Sequence, residues 1–107
     1  MEKISIYYKS EVSDYINDLI YAVYKEKYFS YLENAIDYKD KIIDFIENNI
    51  AQFPYKNTPL ELNHLGSKYL FYKSNNRTTW FVFFENHNND YLVTYITNNH
   101  SPTAGKL

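Results

Sequence analysis

A chain of 107 residues has the length of one domain, and its 45% apolar and 20% aromatic content is well above that of a disordered polymer. The absence of cysteine excludes a disulfide framework, a thiolate zinc site and a cysteine nucleophile. The net charge of −2 divides unevenly: residues 1–50 carry six Lys against ten acids, and residues 51–107 carry four Lys and one Arg against three acids. If the chain meets nucleic acid, the second half is the expected contact, although its basic excess is small. No apolar run approaches the ~20 residues needed to cross a bilayer, and the first residues show no basic-then-apolar leader. The expectation is a protein without a membrane segment, located in the cytoplasm.

The first element is a strand over residues 3–8, where Ile4, Ile6 and Tyr8 alternate onto one face. Ser10 followed by Glu11 predicts a helix N-cap with an acid in the first turn. Val12, Tyr15, Ile16, Leu19, Ile20 and Val23 follow at helical spacing, so a helix of about four turns is expected near residues 10–27. Ser30 and Glu33 form a capping box for a second helix near 30–53. Its stripe is Leu32, Ala35, Ile36, Ile43, Ile46 and Ile50, and Pro54 sets the stop. The short connection predicts a helical hairpin.

Residues 54–67, with Pro54, Pro59 and Gly66, read as a connecting loop with at most a short turn. Three strands then follow as a meander: Lys68–Lys73, Thr78–Glu85 and Tyr91–Thr97. Asn75 and Asn76 supply a tight turn between the first two, because Asn tolerates positive φ. Asn86–Asp90 is a polar loop, and Asn98–Leu107, with Pro102 and Gly105, is expected to be irregular. The whole is a single α+β domain over residues 1–107: one antiparallel-rich sheet with a helical hairpin on one face. On the strand at 78–85, Trp80, Val82 and Phe84 share one face, and Phe81 and Phe83 share the other. The face away from the helices is thus apolar and needs a cover.

The chemistry-bearing residues are few. His64, His87 and His100 have no metal-ligand spacing, and Asp37, Asp40, Asp44 and Glu47 lie along a helix with Lys39 and Lys41 between them, as a solvated face would. Two Gly in the whole chain leave no phosphate-cradling loop. Arg77 is the only Arg, and its planar fork suits phosphate. Lys68 and Lys73 bracket one strand at a spacing of five, which alternation sends to opposite faces; Lys73 is the one nearer Arg77.

The element order, the run Leu65-Gly66-Ser67-Lys68-Tyr69-Leu70-Phe71-Tyr72-Lys73, the aromatic strand Thr79-Trp80-Phe81-Val82-Phe83-Phe84 and the terminal Asn98-Asn99-His100 resemble the RelE/ParE superfamily of bacterial type II toxins. The resemblance covers nearly the whole chain. It implies a toxin neutralised by a cognate antitoxin, and ribonuclease members cleave mRNA on the ribosome with no metal or other cofactor. In that reaction a ribose 2′-hydroxyl attacks the neighbouring phosphate, which calls for a base, cations for the phosphorane charge and an acid for the leaving oxygen. The matching positions are Lys73, Arg77 and His100 for catalysis, with Lys68, Lys73 and Arg77 as RNA contacts. The resemblance also implies that an antitoxin segment, or a second copy of the chain, covers the apolar sheet face.

The chain departs from the pattern in being mildly acidic, in carrying Thr79 and Trp80 where an Arg is common, and in lacking paired basic residues in the tail. These departures keep open an alternative: a non-catalytic member of the same fold that docks a protein target, as gyrase poisons do, or that has lost activity.

Overall fold

Alternation of Ile4, Ile6 and Tyr8 with Ser5 and Tyr7 produces strand β1 (Ser5–Tyr8), whose inward residues meet the core while Tyr7 stays exposed. The computed structural model describes residues 3–25, 32–52, 55–74 and 76–107, with the side chains of 19–25 and 32–35 left aside. The capping box at Ser30 and Glu33, the stripe residues Leu19, Ile20, Val23, Leu32 and Ala35, and Pro54 and Asn75 lie outside the described residues or side chains.

Helix α1 (Ser10–Lys25) begins one residue earlier than its cap signal implies. The Lys9 carbonyl accepts from Val12 and Ser13, so Lys9 takes the capping position and Ser10 enters the first turn beside Glu11. Helix α2 (Leu32–Asn49) stops four residues short of the expected 53, where the Asn49 side chain donates to the Phe45 carbonyl at 2.8 Å. Its buried stripe is Ile42 and Ile46, continued by Ile50 just past its end. Ile36 is exposed and Ile43 only half-buried, because the 3.6-residue period through 46 and 50 runs back to 42 rather than 43.

Among the described residues the sheet has five strands, not four. Its order is β1-β5-β4-β3-β2, with β2 at Lys56–Asn57, β3 at Lys68–Lys73, β4 at Thr79–His87 and β5 at Asp90–Asn98. β1 runs parallel to β5, and the other three pairings are antiparallel. This is a mixed sheet within an α+β fold. The expected loop at 54–67 contains β2 and a 3₁₀ helix, Leu60–Leu65. The expected irregular tail holds a second 3₁₀ helix, Pro102–Lys106, capped by the Ser101 side chain accepting from the Thr103 N–H. The polar loop at 86–90 shrinks to two residues. Asn88, at φ 55°, is the only positive-φ non-glycine among the described residues and sits in the two-residue β4–β5 turn.

Two cores sit on opposite faces of the sheet. Val12, Ile16, Ile42, Ile46 and Ile50 from the helices pack on Leu70, Trp80, Val82, Phe84, Val93 and Ile96. On the other face Tyr69 and Phe83 pack with Leu62 and, at its margin, Leu65, Phe81, Tyr95 and Leu107. The two 3₁₀ segments thus cover the middle of the face that the sequence left apolar, and Glu61 and Lys106 bridge them at 3.3 Å. A bulge makes this possible: the β4–β5 register shifts between Phe83 and Phe84, leaving Thr94 unpaired so that its hydroxyl reaches the Leu65 carbonyl. Among the described residues, no helix is long and apolar enough to cross a membrane.

Candidate functional site

The end of the sheet nearest the β3–β4 connection gathers residues from three separate stretches of chain. β3 ends at Lys73, directly opposite Thr79 at the start of β4. Between them the chain closes on itself, with the Ser74 N–H donating to the Thr78 carbonyl at 3.0 Å, and Arg77 is displayed on this loop, exposed. β5 delivers Asn98, Asn99 and His100 to the same end.

Asn99 works as a staple between these stretches. Its side-chain oxygen accepts from the Thr79 N–H at 2.9 Å, its amide donates to the Arg77 carbonyl at 3.0 Å, and its own N–H donates to the Thr79 carbonyl at 3.0 Å. His100 follows, its N–H held by the Asn98 side chain at 2.9 Å, and its Nε2 lies 3.3 Å from the Thr78 hydroxyl. Lys73, Arg77 and His100 therefore converge on one end of the sheet.

From the helix side a second set of contacts reaches the same loop. The Trp80 indole N–H donates to the Tyr38 hydroxyl at 2.8 Å, the Tyr38 and Ser74 hydroxyls lie 2.9 Å apart, and Ser74 Oγ reaches the Thr78 carbonyl at 3.2 Å. Neither Tyr38 nor the Asn99 staple emerged as a candidate from the sequence. The signal for Tyr38 is its place four residues before Ile42 on the inward stripe of α2. The signal for Asn99 is its position in a polar run immediately after a strand.

Lys68 does not join the cluster. β3 pairs with β4 without a register break, so Lys68 shares a face with Leu70, while Lys73 shares one with Phe71 and Tyr69. Five residues of strand also separate the two lysines, roughly 17 Å. The Lys68 ammonium sits 4.9 Å from the centre of the Tyr55 ring. His64 lies in the last turn of the first 3₁₀ helix, and His87 pairs with Asp90 at the opposite end of β4.

The electrostatics follow the same geography. Lys73 and Arg77 stand at the β3–β4 connection, whereas Lys56 and Lys68 lie toward the other end of β3, where Lys68 pairs with Phe84 beside Glu85, and Asp90 begins β5. Glu85 accepts from the Ser67 N–H and hydroxyl, and Glu61 is bridged to Lys106. Two exposed cations, an imidazole and a hydroxyl at one sheet end can receive a phosphate and move a proton beside it.

Next to this cluster, on the face away from the helices, Phe71 and Phe81 pair across β3 and β4 and are half-buried, Phe81 at the margin of the second core. The Lys56 ammonium lies 5.7 Å from the Phe71 ring centre. Aromatic surface and cations thus adjoin on one face.

No family model matches the chain, and it has no match among curated proteins or among solved structures.

Proposed function

We propose that this chain is the toxin of a bacterial toxin–antitoxin pair, RelE/ParE-like in fold, and that the sheet-end cluster cleaves mRNA on the ribosome. The observation that carries the proposal is the convergence of Lys73, Arg77 and His100, from three stretches of sequence, on one open sheet end. In the proposed reaction the 2′-hydroxyl oxygen bonds to phosphorus, its proton passes to a base, and the bond to the 5′-oxygen breaks as that oxygen takes a proton. Lys73 and Arg77 stabilise the charge on the phosphorane, and His100 transfers a proton. Phe71 and Phe81 offer ring faces on which unpaired bases stack, with Lys56 and Lys73 beside them for the backbone.

A second function competes on a specific observation. Thr79 and Trp80 occupy the region where the resembled toxins commonly carry an Arg; Trp80 is buried at 2% exposure and supplies no charge to the site, and the chain has a pI of only 5.9. A protein that docks a protein target in place of cutting RNA fits those two facts.

Induced expression in a bacterial host separates the two. Cleavage predicts growth arrest with fragmented mRNA, and relief of both by Arg77→Ala, Lys73→Ala or His100→Ala. Arrest with intact mRNA assigns the chain to the docking class. Arrest and cleavage that survive all three substitutions remove this site.

A further inference from the structure

The loop that displays Arg77 is clamped from two sides, and on the helix side the Tyr38 hydroxyl reaches it. Trp80 is fixed in the core, and its indole N–H holds the Tyr38 oxygen at 2.8 Å, the two rings meeting edge to face at 6.4 Å. Ser74 reaches the Thr78 carbonyl with its hydroxyl at 3.2 Å, which commits that proton and leaves Tyr38 to donate to Ser74 across 2.9 Å. The directional chain is therefore Trp80 to Tyr38 to Ser74 to the Thr78 backbone, and the Thr78 hydroxyl in turn faces His100 Nε2. Asn99 holds the same loop from the β5 side through the Arg77 carbonyl.

Exposed loops are ordinarily the least stable parts of a fold. A site that must hold a cation and a proton-transfer group against one phosphate cannot tolerate that mobility, since misplacement of about 1 Å is worth ~100-fold in rate. We propose that Tyr38 is a positioning residue: it ties α2 to the 74–78 loop and so fixes where Arg77 stands and, through Thr78, how His100 is oriented. The inference rests on the sheet end being a phosphate site, and it makes a helix on the opposite face of the sheet part of that site's support.

The test is Tyr38→Phe, which removes one oxygen and keeps the ring, measured beside Ile42→Val, which trims the same helix's core contact and leaves the hydrogen-bond chain untouched. The expected result for Tyr38→Phe is at least ~10-fold faster exchange of the Ser74 amide hydrogen, displaced imidazole resonances of His100, and kcat on ribosome-bound mRNA lowered about 10- to 100-fold with KM little changed. Ile42→Val is expected to move none of the three. The proposal is overturned if Tyr38→Phe leaves Ser74 exchange and His100 resonances at wild-type values, or if Ile42→Val reproduces its effects. If the wild-type chain cleaves no RNA, the ribonuclease proposal fails alone, because loop exchange and the His100 signals still decide whether Tyr38 positions the loop.

Discussion

Gly66 and Tyr8 show how much single positions carry. Gly66 adopts φ 156°, and a Cβ there would stand 2.5 Å from the Thr94 hydroxyl oxygen, 2.9 Å from Phe83 Cβ and 3.0 Å from the Phe84 backbone nitrogen. Two of those three neighbours belong to the buried centre of β4, which has nowhere to move. Gly66→Ala should therefore lose about 2–3 kcal/mol in chemical denaturation, combining backbone strain with overpacking. An unchanged midpoint would mean that the approach of chain to bulge is looser than described. The Tyr8 hydroxyl is buried without a hydrogen-bond partner among the described residues, and its pKa is pushed up to about 12, first by burial and then by the negative charge of Glu47. The unfolded chain releases that proton near pH 10, the folded chain only near 12. The neutral phenol's contribution is thus intact below pH 10 and lost as pH rises from 10 through 12. Tyr8→Phe should raise stability near neutrality by about 1 kcal/mol, since it deletes an unpaired buried hydroxyl. Its stability should also decline less steeply than wild type between pH 10 and 12, where the difference between the two denaturation curves isolates this one tyrosine from the other twelve.

At the scale of elements, the 3₁₀ segments matter more than their length suggests. Leu62 closes the second core over Tyr69 and Phe83, whereas Glu61 makes an exposed ion pair with Lys106. Leu62→Ala should lose about 2–5 kcal/mol and promote self-association in sedimentation, while Glu61→Ala should lose under about 1 kcal/mol. Equal effects would mean that the segment is held by charge and not by packing. These same elements mark where the sequence was legible. β3 has the predicted ends, and the division of Trp80, Val82 and Phe84 from Phe81 and Phe83 follows from alternation, because a period of two is written directly in apolar residues. The cover on the second face was not legible. Leu60–Leu65 is about two 3₁₀ turns bounded by proline and glycine, and Leu62 gains meaning only when the bulge at Thr94 brings the segment onto the sheet. β2 was missed for a similar reason, since Lys56-Asn57 has no strand propensity and exists by pairing with Tyr69 and Lys68. The candidate site was half legible. Lys73, Arg77 and His100 stand out by residue type and position, but Tyr38 and Asn99 act through contacts spanning 36 and 22 residues.

For the whole molecule, the two sheet faces divide the labour. One is closed by α1 and α2, the other is partly closed by the chain's own 3₁₀ segments, and the half-buried pair Phe71 and Phe81 lies on that second face with the cationic sheet end beside it. Single-stranded RNA, with π faces and a charged backbone, matches that combination better than a folded protein surface does. The decisive measurement is cleavage of mRNA on programmed ribosomes by the purified chain, with the ends of the fragments identified. Attack by the 2′-hydroxyl predicts fragments bearing 5′-hydroxyl ends, at a rate that Arg77→Ala lowers about 100- to 1000-fold without unfolding the protein. No cleavage, 5′-phosphate ends, or an Arg77→Ala chain as fast as wild type would contradict the account.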